Sequence, residues 1–157
     1  MNATATVFLI IIGAFVFIPF MSLTELPTQL VAILTSLPIG SIGILLIIVL
    51  IYMFLGMFLE SIAMLVLTIP VVIPIAEALG WDLIWFGIIV VIVLEMGMIS
   101  PPVGINVFIV KSIARDVPMG TIFQGIWPFW FAMVAMIGLL ILFPPIALYL
   151  PQAVVGG

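Results

Sequence analysis

Glu95-Met-Gly-Met-Ile-Ser-Pro-Pro-Val-Gly-Ile-Asn106 decides how this chain is read. It lies inside a long apolar run that would otherwise pass for one membrane helix. Pro101 and Pro102 carry no backbone N–H, and their rings collide with the preceding turn, so a regular helix cannot continue through them. The proline rings push Ile99 and Ser100 toward extended geometry, and Gly97 and Gly104 flank the break with backbone freedom other residues lack. The pattern predicts two half-helices meeting at an unwound segment. At membrane depth such a segment is tolerated only when it is buried in protein or lines a watery cavity. In transporters, breaks of this kind offer free carbonyls to a cation and helix N-termini to an anion. A single proline would read as a packing kink. A Pro-Pro pair bracketed by glycines, with Ser100 and Asn106 beside it, reads as a functional break.

The surrounding composition sets the class. Of 157 residues, 68% are hydrophobic and 5% charged, against about 25% charged in soluble domains. The apolar runs are too long for single strands and do not alternate as barrel strands do. The expected fold is therefore an all-α membrane protein, with residues 1–157 forming a single integral membrane domain in the lipid bilayer. Cysteine and histidine are absent, which removes zinc sites, thiolate nucleophiles, disulfides, histidine-ligated haem and Ser-His-Asp triads. The only lysine, Lys111, comes after Val110, so no Gly-Lys-Ser/Thr phosphate loop exists and ATP hydrolysis is disfavoured. Two basic residues make no nucleic-acid footprint. The net charge of -4 is too small and dispersed to call for a basic partner. Met1-Asn-Ala-Thr lacks the basic start of a signal peptide, so the first apolar run reads as a retained span.

Taken in order, residues 6–21 form a first span and 22–27 a polar connection. In 28–37 Leu30, Val31, Leu34 and Leu37 recur at helical spacing, as in a short amphipathic helix on the membrane surface. Residues 41–76 would make one helix about 54 Å long, too long for a hydrocarbon core of about 30 Å. Either two spans meet at Glu60-Ser61, or two half-length helices form a re-entrant hairpin with its tip there. The scarcity of polar residues at the turn favours the hairpin. Gly80 suits a helix C-cap, Trp81 an interface and Asp82 an N-cap. Residues 83–98 and 103–112 are the two halves of the interrupted helix. Residues 118–127 read as a second surface segment, with Gln124, Trp127 and Trp130 near an interface. Residues 129–149 read as the last span, and 151–157 as a tail.

Lys111 and Arg115, the only basic residues, place the connection 111–124 on the cytoplasmic side. The C-terminus is then external, the hairpin enters and returns externally, and Glu25, Glu77 and Asp82 all fall outside. Glu95 is an acid within an apolar run, and such groups are functional candidates by default. It could carry a proton, hold an ion, or accept hydrogen bonds from N–H groups freed at the break. Glu60 is either a ligand at the tip or the polar residue of the turn. Met57, Met96 and Met98 read as packing. A membrane scaffold without an ion site would have no need of the Pro-Pro break. An intramembrane enzyme is disfavoured by scattered acids and the missing His and Cys.

Four stretches, taken together, resemble a known family. Gly-Met-Phe-Leu-Glu-Ser-Ile-Ala (56–63), Pro-Ile-Ala-Glu-Ala-Leu-Gly-Trp-Asp (74–82), residues 95–106 and Phe-Gln-Gly-Ile-Trp-Pro-Phe (123–129) look like the large membrane subunit of tripartite ATP-independent periplasmic (TRAP) transporters. The resemblance covers nearly the whole chain, with its motifs in order. It implies a bacterial or archaeal secondary transporter of the cytoplasmic membrane that takes up organic acids, such as C4-dicarboxylates or sugar acids, by sodium symport. Its implied partners are an extracytoplasmic solute-binding protein and a small membrane subunit. The family's large subunit is longer and built as two inverted repeats, of which this chain resembles the second. Matched residue by residue, the resemblance implies one Na+ site on Gly56, Gly97, Ser100 and Val103, mostly through backbone carbonyls. Pro101, Pro102, Gly104, Asn106, Glu60 and Glu95 stand around it as further candidates. The family often carries threonine at the place of Ser100, which preserves the hydroxyl, and aspartate at the place of Glu60, which has a shorter reach.

Overall fold

A computed structural model describes residues 2–155. Among them the chain forms eight helices: α1 (Asn2–Leu23), α2 (Leu26–Ser36), α3 (Gly40–Gly56), α4 (Ser61–Ala78), α5 (Leu83–Ile99), α6 (Ile105–Ile113), α7 (Met119–Leu142) and α8 (Pro145–Val155). The all-α class expected from the apolar runs is what is found. Two compact units arise, one from Met1–Ile48 with Leu59–Leu83, the other from Val49–Phe58 with Ile84–Gly157.

In the first unit α1 and α2 both pack on α4. Ala14, Met21, Met64, Val72, Ile75 and Ala76 are buried, the last three recurring at helical spacing on α4. The stretches Phe8–Met21 and Leu26–Ser36 meet at 67°. The turn is made by Glu25, held at φ 52, with Pro27 in the first turn of α2 where its missing N–H costs nothing. None of the α2 residues is buried. The helix begins two residues earlier than the amphipathic segment expected at 28–37.

Helices α3 and α4 are 17 and 18 residues long, roughly 26 Å each, and residues 57–60 join them. Glu60 is the N-cap of α4: its carboxylate accepts the Ala63 amide at 3.1 Å. The Trp81 indole N–H, past the end of α4, donates to the hydroxyl of Ser41 in the first turn of α3 at 2.6 Å. α4 closes as the sequence predicted. The Trp81 amide reaches Ala76 O at 2.9 Å and the Gly80 amide reaches Glu77 O at 3.0 Å, with Gly80 at φ +70. Asp82 directly precedes α5, as an N-cap residue would.

In the second unit α5 buries one stripe, Trp85, Phe86, Ile89, Val90, Val93, Leu94, Met96 and Gly97. α5 ends at Ile99 and α6 starts at Ile105, two residues later than the Val103 expected from the sequence. The end of the chain differs from the sequence expectation. Residues 118–127 are not a separate surface segment and the last span does not begin at Phe129. α7 runs unbroken from Met119 to Leu142 through Pro128. A lone proline deletes one backbone donor, and a helix in a packed, apolar setting accommodates that loss. The consecutive Pro144 and Pro145 delete two, and α7 ends before them. Leu140 thereby loses its donor four residues on, and the Trp85 indole N–H takes that carbonyl at 2.8 Å. Nor is the segment from Pro151 a tail throughout: α8 extends through Pro151 to Val155. Gly156 and Gly157 lie outside the described residues, as does Met1.

By length and composition α4 and α7 can each cross a membrane, and the bent pair α1 and α2 counts as a third crossing if it is one broken span. Phe15, Phe129 and Leu142 are each at least 70% exposed. Such apolar surface calls for lipid or further protein around it.

Candidate functional site

The site is built by what two prolines remove. In a helix, the amide of residue 101 would bond Gly97 O and that of 102 would bond Met98 O. Pro101 and Pro102 have no amide hydrogen, so both acceptors lose their ladder partners. Ser100 fills part of the gap. Its own amide donates to Gly97 O at 3.0 Å, and its hydroxyl donates to Met96 O at 2.6 Å. The same hydroxyl oxygen accepts the Trp130 indole N–H, reaching across from α7, at 2.9 Å. Ser100 is 2% exposed, and tyrosine aside it is the only buried polar or charged residue among those described.

Beyond the prolines the chain re-enters a helix through Gly104. Its φ of +60 is a left-handed conformation, and a Cβ there would fall 3.1 Å from Ser100 O. Gly104 O then accepts the amides of Val107 and Phe108 at 2.8 and 3.4 Å, starting α6. Val103 lies half-buried in the unwound segment, and Asn106 half-buried in the first turn of α6. Pro101 and Pro102 are exposed.

The end of α3 meets the end of α5 at two glycines. A Cβ on Gly97 would sit 2.8 Å from the Gly56 Cα and 2.9 Å from Met53 O, closer than any real Cβ contact. The backbones therefore touch, which only a glycine at 97 allows. This brings Gly56, at the C-terminal end of α3, against Gly97 and one turn from Ser100. Among the described residues no backbone amide is directed at the carbonyls of Gly56, Ser100 or Val103. Unpaired carbonyls at helix ends carry partial negative charge. Among the described residues no group of three Asp, Glu, His or Cys side chains exists to hold a metal ion. Any cation attracted here meets neutral oxygens, backbone carbonyls and one hydroxyl.

The acidic candidates go elsewhere. Glu60 caps α4, which gives it a structural task. Glu95 is exposed and lines an open cavity of 430 Å³ with Val91, Ile92, Phe129, Ala132, Met133 and Met136. Among the described residues its carboxylate accepts no hydrogen bond, so of its three alternative roles the acceptor for N–H groups freed at the break gains no support, and proton carrier and ion ligand stay open. The physical reason is that the prolines free carbonyls on α5, and a carboxylate cannot bond those. Trp130 was missed as a site residue because its sequence position suggested only an interface. The available signal was its indole N–H, which seeks an acceptor when partly buried.

Residues 1–146 match the family described as "Tripartite ATP-independent periplasmic transporter, DctM component". The chain belongs to this family. Among its relatives, the sialic acid TRAP transporter large permease protein SiaM of Vibrio cholerae is 32% identical over 99% of this chain and 36% of its own length. The C4-dicarboxylate TRAP transporter large permease protein DctM of Vibrio cholerae is 37% identical over 82% of this chain and 27% of its own length. The protein of the same name from Pseudomonas aeruginosa is 28% identical over 95% and 35% respectively. The chain thus spans about a third of the length of these TRAP relatives. The resemblance to the TRAP large membrane subunit read from the sequence is upheld.

Proposed function

We propose that this chain forms the sodium-binding repeat of a TRAP permease that takes up organic acids across a bacterial or archaeal cytoplasmic membrane. Na+ sits among Gly56, Gly97, Ser100 and Val103, held by backbone carbonyls and the Ser100 hydroxyl. The observation that carries this reading is the backbone contact between Gly56 and Gly97 beside a buried, hydrogen-bonded Ser100. Carbonyls cut loose from a helix ladder are already desolvated and oriented, so a hard cation meets ligands without the cost of freeing them.

The substrate is an organic anion. Relatives are named for sialic acid and for C4-dicarboxylates, and both carry carboxylates. Lys111 and Arg115 lie at and beyond the end of α6, so helix N-termini and the rest of the permease supply the countercharge. An extracytoplasmic solute-binding protein delivers the anion, and a small membrane subunit completes the permease. Helices α3 and α4 enter and leave from the external side as a re-entrant hairpin, Lys111 and Arg115 stay cytoplasmic, and the C-terminus is external.

The test is uptake of labelled organic acid by the complete permease with its binding protein, in vesicles titrated with sodium. Ser100→Ala removes one ligand oxygen and raises the sodium concentration for half-maximal uptake, each tenfold step corresponding to about 1.4 kcal/mol. Ser100→Thr keeps the hydroxyl and is tolerated. An unchanged sodium dependence in Ser100→Ala would leave the chain as a scaffold with no ion site here.

A further inference from the structure

We infer that Trp130 is a positioning residue for the ion site, fixing the Ser100 hydroxyl so that one lone pair faces the cation; this rests on the sodium reading above. A serine hydroxyl has one hydrogen and two lone pairs. Met96 O takes the hydrogen at 2.6 Å, and the Trp130 indole N–H takes one lone pair at 2.9 Å. One lone pair remains, and the other two bonds fix its direction.

Its own helix orients Ser100 only in part, through the bond to Met96 O. α5 ends at Ile99, and the two prolines come directly after Ser100. A side chain on such a segment would ordinarily sample several rotamers. The second constraint comes from α7, through a ring that is itself held. Trp130 packs edge-on against Trp127 at 5.6 Å and against Phe131 at 5.4 Å, and the latter two stack at 5.7 Å. The indole N–H is therefore pre-aimed, and ion binding at the break is coupled to the placement of α7. Its contribution is orientation and not ligation, because an N–H donor cannot bind a cation.

The experiment uses the complete permease, read by uptake in sodium-titrated vesicles and by equilibrium binding of radioactive sodium to the purified permease, which should shift together. Trp130→Phe keeps a ring and loses the N–H. It should raise half-saturating sodium about three- to tenfold, while maximal uptake and the half-saturating organic-acid concentration at saturating sodium stay unchanged. Replacing Trp130 by 3-benzothienylalanine, which preserves the bicyclic shape and removes the N–H, should give the same shift and guards against a folding defect in the phenylalanine variant. In the Ser100→Ala background either change should add nothing, because the hydroxyl it orients is gone. If Ser100→Ala shifts sodium dependence while both Trp130 variants do not, the positioning role is wrong and the sodium site stands. Additive effects in the double variant also overturn it, since Trp130 would then act by another route. If Ser100→Ala itself changes nothing, the sodium reading fails and this inference falls with it.

Discussion

Gly97→Ala tests the contact on which the site depends. The added methyl would lie 2.8 Å from Gly56 Cα, 2.9 Å from Met53 O and 3.0 Å from the Gly56 carbonyl carbon. All three are backbone atoms, so no side chain can rotate away. Relief to the 3.4 Å of ordinary contact must come from moving the end of α3 or of α5. Overpacking of this kind costs about 1–3 kcal/mol. Alanine also gains roughly 1 kcal/mol of helix propensity over glycine, which partly hides the damage in a thermal melt. Sodium binding compares two folded states, so the propensity gain cancels there. If the cost falls on the ion-bound arrangement, half-saturating sodium rises roughly five- to 150-fold. Gly56→Ala is the internal control. Its Cβ would meet Gly97 Cα at 3.2 Å and Leu94 O at 3.4 Å, so its effect should be smaller. The assay is sodium-titrated uptake beside thermal unfolding of the purified permease. An unchanged sodium dependence in Gly97→Ala, or a larger effect from Gly56→Ala, would refute the reasoning.

Trp85→Phe strands the Leu140 carbonyl and should destabilise the permease by about 1–3 kcal/mol, read as a lowered unfolding midpoint with sodium dependence intact. Glu60→Ala should weaken the start of α4 by about 1 kcal/mol while Glu60→Asp is tolerated; hydrogen exchange at the Ala63 amide reports the difference, and equal rates in all three forms would remove the cap. Glu95→Gln should leave uptake and its sodium dependence largely intact, because Glu95 faces an apolar cavity and has no hydrogen-bond partner among the described residues; a collapse of uptake or a lost pH dependence would instead make it a proton carrier. Ser112→Cys should resist an impermeant thiol reagent added outside, and Ala153→Cys should react; the reverse pattern would invert the topology.

What the sequence by itself determined is local and covalent. The helix break comes from two missing N–H groups at Pro101 and Pro102, whatever surrounds them. The membrane class comes from 5% charge, and the α4 terminus from Gly80, whose positive φ costs it nothing. Glu60 was legible as a turn residue, though its bond to the Ala63 amide was not. Effects that act within one helical turn are written in the order of residues. The tertiary structure alone decided that Gly56 touches Gly97, that Trp130 reaches Ser100, and that Glu95 accepts nothing at the break. Those pairings depend on which faces pack, and packing is set by the joint shape of many side chains far apart in the chain. Pro128 shows the boundary between the two. One deleted hydrogen bond is a cost that surroundings can absorb, so α7 passes through it. Two consecutive deletions at Pro144 and Pro145 end the helix, and the Leu140 carbonyl they release is claimed by Trp85 from another helix.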